Sequence, residues 1–192
     1  MNPLFEPHDP ALVSRLIEEY PLALLVSRRL NASQLPLLGE QGADGETGAL
    51  FGHCARTNPL VADFAEDPEG LVVFTGPQGY ISPSLVSKPD WGPTWNYASL
   101  RFHVRIAFVP EETQRSVERL AEKLEGEDWS LERLGGRAEG MLSHIIAFRA
   151  RVTGSDHVFK LGQDESPQSH REIVAAHADR TLAEWMTATR RR

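Results

Sequence analysis

In Leu100-Arg101-Phe102-His103-Val104-Arg105-Ile106-Ala107-Phe108, an apolar side chain stands at every second position. The positions between them hold arginine, histidine or alanine. Successive side chains of a β-strand point to opposite faces of the sheet, so this alternation predicts a long strand with one core face and one polar face. Pro110 follows, and a proline at that place predicts the end of the strand.

Short apolar or alternating runs predict the remaining strands, at residues 22–27, 32–38, 49–55, 71–74, 79–82, 145–152 and 158–161. Residues 39–48 contain a glycine at every third position and predict a mobile loop, and residues 154–156 predict a hairpin turn. Helical spacing of apolar residues predicts helices at 10–20, 59–66, 111–124 and 171–189. Because the strands are not separated by crossover helices, we expect an antiparallel, mostly β barrel of about six or seven strands with flanking helices.

Length and charge narrow the class of protein. A chain of 192 residues favours a single domain over 1–192. The formal net charge of −7 makes direct binding to nucleic acid doubtful, because phosphate contacts need a basic surface. The basic run Arg190-Arg191-Arg192 is interpreted as a solvated chain end. The single cysteine, Cys54, excludes an intrachain disulfide, and no apolar run reaches a membrane span, so we expect a cytoplasmic protein.

The sequence gives only weak indications of a metal site or of a catalytic nucleophile. No two of the seven histidines are three or four residues apart, the spacing that places two ligands on one face of a helix, so no metal site is predicted. Cys54 within a strand is typical of a small buried apolar residue. The sequence contains no Gly-x-Ser-x-Gly motif, which disfavours a hydrolase of that kind.

The first of three polar clusters is Gly52-His53-Cys54-Ala55-Arg56-Thr57-Asn58-Pro59. The side chains of His53, Arg56 and Asn58 can donate hydrogen bonds to a phosphate, and the start of the following helix favours an anion. The alternative is structural: Asn58 caps that helix, and Arg56 pairs with an acid at the surface.

The second cluster is Gly76-Pro77-Gln78-Gly79-Tyr80-Ile81-Ser82-Pro83-Ser84, and the third is Pro93-Thr94-Trp95-Asn96-Tyr97. Glycines in the second cluster allow a flat ligand to approach the backbone, and the alternative is a tight hairpin turn. Aromatic rings of the third cluster can stack on a flat ring system, although they fill cores and dimer interfaces equally well.

These clusters, in this order and spacing, resemble the PaiB family, described as FMN-binding negative regulators of transcription. The resemblance extends over most of the chain. Its matching segments are Pro3-Leu4-Phe5, residues 32–38, Gly52-His53, Ala55-Arg56, Asn58-Pro59, Gly76-Pro77, residues 80–84, residues 93–97, Phe159-Lys160-Leu161 and Gln163.

The resemblance implies a split β-barrel, antiparallel and Greek-key-like, that binds a flavin nucleotide, FMN, at the interface of a homodimer. The cofactor-binding residues that it implies are His53, Arg56, Asn58, Tyr80, Ser82, Ser84, Thr94, Trp95 and Asn96. Alternatives are a flavin-dependent oxidoreductase and a flavin-free dimeric scaffold. The sequence departs from the family at Gln34 and Arg101, where a histidine is usual, and these departures favour the scaffold.

Overall fold

The computed structural model describes residues 2–7, 9–43 and 45–190. It contains eight strands: β1 Leu22–Ser27, β2 Ala32–Pro36, β3 Leu38–Gln41, β4 Thr47–Ala55, β5 Glu69–Ile81, β6 Thr94–Phe108, β7 Ile145–Ser155 and β8 Val158–Lys160. The α-helices in the described part are α1 Pro10–Glu19, α2 Pro59–Glu66, α3 Thr113–Glu125, α4 Arg137–Ser143, α5 Pro167–Ala176 and α6 Arg180–Thr189.

The strands form one antiparallel sheet in the order β2-β1-β5-β6-β7-β4-β3, with β8 paired to β6. The alternation predicted around residue 104 is confirmed, because Phe102, Val104 and Ile106 are buried whereas His103 and Arg105 are exposed. The number of strands is eight rather than six or seven.

The chain divides into two compact units. The larger unit consists of Ser14–Phe74 and Arg101–Ser155. The smaller unit consists of Met1–Val13, Thr75–Leu100 and Asp156–Arg192. The expectation of a single domain over 1–192 stays a prediction.

Aromatic rings form the core of the larger unit. Phe74 and Phe102 meet edge to face with ring centroids 6.1 Å apart, and Phe108 and Phe148 do so at 6.5 Å. Such pairs add about 0.5–1.5 kcal/mol to the gain from burial.

Helix α3 is attached to the sheet of the larger unit by ion pairs. Arg149 of β7 donates to Glu40 of β3 at 3.0 Å and also bonds to Glu112, next to the start of α3. Arg119 of α3 donates to the same Glu40 at 2.6 Å. Both guanidinium groups lie over the buried ring of Phe51, so charge and packing together fix α3 on this face of the sheet.

The smaller unit has its own core around the fully buried Trp185 of α6, whose ring meets Phe159 of β8 at 5.8 Å. Arg190 is half-buried and donates to the carbonyl oxygen of Glu165 at 3.3 Å, so the interpretation of this residue as part of a solvated chain end is wrong. Arg191 and Arg192 lie outside the described residues.

Two predicted turns are wrong, and a predicted loop is shorter than expected. Gly76 and Pro77 are buried within the continuous strand β5, because burial on both sides overrides their turn preference. Residues 39–41 and 47–48, predicted as part of a mobile loop, belong to the paired strands β3 and β4. Strand β8 pairs with β6 instead of turning back on β7.

The predicted helix at 171–189 is two helices. Helix α5 ends at Ala176, and the backbone of His177 is extended, with φ −65° and ψ 131°. The carboxylate of Asp179 then accepts a hydrogen bond from the N–H of Leu182 at 3.0 Å and begins α6. Asp179 is a typical N-cap residue in the middle of the apolar pattern, and it is the signal that could have revealed the break.

Candidate functional site

His53 lies on β4 and faces α3. Its Nδ1 is 3.1 Å from the hydroxyl oxygen of Ser116, which itself donates to the carbonyl oxygen of Thr113 at 2.7 Å. Because a hydroxyl has a single proton, this arrangement assigns the Nδ1 proton to His53 and makes Ser116 its acceptor. Burial lowers the pKa of His53, so the ring is neutral at neutral pH and supplies no positive charge to a phosphate.

Arg56 follows β4 and is exposed. Its backbone N–H donates to the carbonyl oxygen of His144 at 2.9 Å, and its Nε–H donates to that of Ser143 at 3.0 Å. Among the described residues, its guanidinium bonds to this backbone carbonyl and not to a carboxylate, in contrast to the predicted surface ion pair. Both Nη groups therefore remain available to a ligand.

Arg56 lines a cleft of about 1270 Å³ that is bounded by α3, α4 and the segment between them. The same lining contains six glutamates: Glu111, Glu118, Glu122, Glu127, Glu132 and Glu139. Because these carboxylates repel a phosphate, the charge of this cleft opposes the phosphate-binding role that the sequence predicts for Arg56.

Asn58 is the N-cap of α2. Its Oδ1 accepts a hydrogen bond from the N–H of Leu60 at 3.0 Å, and its Nδ2 donates to the hydroxyl of Ser33 at 3.0 Å. The structural role that was the alternative prediction is thus present. Its role as a flavin ligand stays a prediction.

The two positions that depart from the family lie on the sheet of the larger unit. Gln34 is an exposed residue of β2 and pairs with Leu24 of β1. Arg101 is half-buried on β6. Neither belongs to the hydrogen bonds described for His53, Arg56 and Asn58.

In the smaller unit, Tyr80 of β5 and Trp95 of β6 form an exposed aromatic pair. Their side chains are 51% and 50% exposed, and their ring centroids are 6.1 Å apart with an interplanar angle of 54°. Large aromatic side chains are normally buried, so two neighbouring rings with half of their surface open offer an apolar platform to a flat ligand.

Lys160 of β8 lies beside this aromatic pair. Its ammonium donates to the hydroxyl of Thr94 and to the carbonyl oxygen of Trp95, the latter at 3.0 Å. Neither acceptor carries a charge, and no carboxylate bonds to Lys160 within the described residues. Lys160 is not among the site residues predicted from the sequence, although the segment Phe159-Lys160-Leu161 is part of the family resemblance.

The other predicted residues of the smaller unit serve local structure. The hydroxyl of Ser82 accepts from the N–H of Ser84 at 3.2 Å, and the two hydroxyls are 2.8 Å apart. Asn96 is only 2% exposed and its Nδ2 contacts the sulfur of Met186 at 3.6 Å. Asn96 is therefore a core residue, and Tyr80, Thr94 and Trp95 are the predicted residues that the structure brings together around Lys160.

The described residues lack two features. They contain no group of three or more histidine, cysteine or acidic residues arranged to hold a metal ion. Among the same residues, no helix has the length and hydropathy needed to cross a membrane.

Residues 1–154 match the family described as "Putative FMN-binding domain". The chain belongs to this family. Over 132 residues it is 27% identical to the protease synthase and sporulation protein PAI 2 of Bacillus subtilis strain 168. The matched region covers 65% of this chain and 62% of that protein, less than two thirds of the relative's length. The predicted resemblance to the PaiB family is confirmed.

Solved structures share the fold at low identity. The flavocytochrome Anf3 of Azotobacter vinelandii aligns with a TM-score of 0.62 and 11% identity, over 79% of this chain and 67% of that one. The FAD- and heme-binding protein of Mycobacterium smegmatis aligns with a TM-score of 0.56 and 14% identity, over 88% of this chain and 78% of that one. Together with the antiparallel sheet, they confirm the predicted fold class, a split β-barrel with flanking helices.

Proposed function

We propose that this chain binds FMN. The observation that carries the proposal is membership of the FMN-binding family over residues 1–154. A bound flavin would supply the redox chemistry, and the protein would supply position and electrostatics. The aromatic pair and the ammonium of Lys160 suit such a ligand, because a flavin combines a flat apolar ring with polar carbonyl groups.

The aromatic pair would hold the ring system. Stacking of a planar ring on an aromatic side chain contributes about 1–3 kcal/mol. Lys160 has three N–H donors, of which Thr94 and the Trp95 carbonyl occupy two, so one donor remains for a carbonyl oxygen at the edge of a ring. His53, Arg56, Asn58, Ser82, Ser84 and Asn96 remain proposed ligands.

The experiment is a titration of FMN into the full chain, followed by flavin fluorescence and by the visible spectrum after removal of free FMN. Wild type should retain the flavin bands. Trp95→Ala should weaken binding about tenfold, as expected for the loss of one stacking partner. Leu30→Ala is the control, because Leu30 is an apolar side chain that is 83% exposed and belongs to no proposed ligand set. Absence of flavin bands in wild type would overturn the proposal.

We further propose that the protein is a two-fold homodimer. Leu22 and Leu24 of β1 are 55% and 37% exposed on the outward face of the sheet. Leu24 pairs with Val73 of β5, and Val26 pairs with Leu71, so apolar side chains of two neighbouring strands share this face. An apolar sheet face of this kind is typical of a protein interface. A second copy of the chain is its proposed occupant.

We propose that any role in negative regulation of transcription is indirect. The net charge of −7 opposes association with nucleic acid, whose backbone is a polyanion. A flavin-dependent change in contact with a protein partner would meet no such repulsion. A mobility shift of random-sequence DNA that weakens with added salt would contradict this proposal.

A further inference from the structure

Arginine and histidine side chains alternate with the core residues on the outward face of β6. Phe102, Val104 and Ile106 point into the core, so the residues between them point outward. His103 and Arg105 in this row are exposed. Because the net charge of the whole chain is negative, a local positive charge on this face of β6 is unexpected.

Arg151 of β7 extends this row across the sheet. It is exposed, and it is the direct register partner of Arg105 in the antiparallel pair of β6 and β7. Side chains that face each other in this way have Cβ atoms roughly 4.5–5.5 Å apart, and like charges there destabilise the sheet. The two guanidinium groups are charged at every physiological pH.

The counter-charge of this pair is incomplete. Glu69 of β5 accepts a hydrogen bond from Arg105 at 2.9 Å and neutralises one guanidinium. Arg151 makes no side-chain hydrogen bond or ion pair with the part of the chain that the structure describes. One carboxylate, bonded to Arg105, thus stands against two guanidinium groups, and each guanidinium keeps N–H donors for a further acceptor.

A β-bulge lies beside the two arginines. The register of β6 and β7 shifts between His103 and Val104, so that His103 faces Gly154 while Val104 faces Val152. The ring of His103 lies against Gly154, with its Cδ2 3.9 Å from the place of a Cβ there. Bulges are frequent beside functional sites, because they redirect a side chain. Here the extra residue lies on β7, and the unbroken alternation of β6 keeps the imidazole of His103 on the same face as Arg105.

We propose that His103, Arg105 and Arg151, the β6–β7 basic patch, bind the phosphate group of a phosphate monoester. A guanidinium donates two parallel hydrogen bonds to phosphate oxygens, and the imidazole can donate a third. A single phosphate matches the small number of cations, whereas a nucleic-acid backbone needs many more. The phosphate of FMN and a free phosphate share this chemistry, and the patch does not depend on the proposed flavin binding.

The test is calorimetric titration of the full chain with three probes: inorganic phosphate, FMN and riboflavin, which lacks the phosphate. We expect Arg151→Gln to weaken phosphate binding about tenfold, the scale of hydrogen bonds to a charged group. Arg137→Gln is the matched control, since Arg137 is an exposed arginine of α4. Without phosphate, the unfolding temperature of Arg151→Gln should be no lower than that of wild type, because the variant removes a like-charge contact.

The three probes distinguish the source of the phosphate. If Arg151→Gln weakens FMN but not riboflavin, the occupant is the flavin phosphate. If the variant weakens the binding of inorganic phosphate and leaves the binding of FMN unchanged, the patch is a separate site. The proposed flavin binding is then tested independently of the patch. Equal phosphate binding by wild type and Arg151→Gln would overturn the inference. DNA that binds wild type and competes with phosphate would also overturn it in favour of a nucleic-acid surface.

Discussion

The guanidinium of Arg56 illustrates how the surroundings of a residue change its expected role. A permanent cation in a cluster with His53 and Asn58 predicts a phosphate ligand. In the structure, its Nε is already bonded to the Ser143 carbonyl, and the adjoining cleft is lined by glutamates. The residue type of Arg56 could be read from the sequence, whereas the glutamates come from residues 111–139, which only the fold brings to Arg56.

The replacement Arg56→Ala should therefore weaken FMN binding only slightly. Exposed charge pairs contribute about 0.2–1 kcal/mol, which corresponds to roughly a 1.4- to 5-fold change in the dissociation constant. Titration by flavin fluorescence measures it, with Arg137→Ala as the control. A loss of about tenfold or more would show that Arg56 binds the phosphate directly despite the surrounding carboxylates.

His53 and His170 predict a loss of stability in mild acid. Burial lowers the pKa of both, and Arg190 lowers that of His170 further. In the unfolded chain, histidines titrate near their ordinary pKa of about 6.5. As the pH falls below this value, the unfolded state binds protons that the folded state does not bind, so the free energy of unfolding decreases.

Thermal unfolding at about pH 7.5 and about pH 5.5 measures this effect, since the difference in proton uptake lies between these values. His53→Gln should show a smaller decrease in the unfolding temperature between the two conditions than wild type does. His144→Gln, at an exposed position, is the control. An equal decrease in wild type and His53→Gln would show that burial of His53 does not affect its protonation.

Among the helices and strands, the sequence predicts the bounds of an element best where burial is regular. The start and end of β1 and of α2 agree with the prediction to the residue, because a short apolar run and the Asn58-Pro59 cap act locally. The errors at Gly76-Pro77 and at Asp179 have the opposite cause. Partners distant in the sequence bury the first segment, and a cap interrupts a pattern that otherwise continues.

Gly52 on β4 tests the close packing of the element that holds His53. A Cβ at this position would be 2.5 Å from Cδ2 of Leu37 and 2.9 Å from the backbone oxygen of Pro36. Because the backbone oxygen of Pro36 cannot move away at low energetic cost, Gly52→Ala should destabilise the fold by about 1–3 kcal/mol in urea unfolding. Gly140→Ala in α4, where a Cβ meets no atom within 4 Å, should be neutral or stabilising. Similar stability of the two variants would contradict the packing argument.

At the scale of the whole molecule, the sequence and the structure contribute different parts of the argument. Three ordered clusters predicted the family, and the match over residues 1–154 confirms it. The exposed aromatic pair, the ammonium of Lys160 and the β6–β7 basic patch emerge only when strand pairing is known. Separation along the sequence does not predict that Arg105 lies opposite Arg151 or that Tyr80 lies next to Trp95. Each pair depends on the register or on the proximity of strands.

The proposed homodimer makes the last prediction. Light scattering of wild type should give twice the mass of the 21.4 kDa chain, since a stable interface buries well above about 1,000 Å². Leu24→Glu places a charge in the centre of the apolar sheet face, where a second copy would have to desolvate it, and should give the monomer mass. Leu24 is 37% exposed, so circular dichroism should show that the variant remains folded. Leu124→Glu on α3, at a side chain that is 59% exposed, should leave the mass unchanged. A monomeric wild type, or a dimer that persists in Leu24→Glu, would show that this face is not the interface.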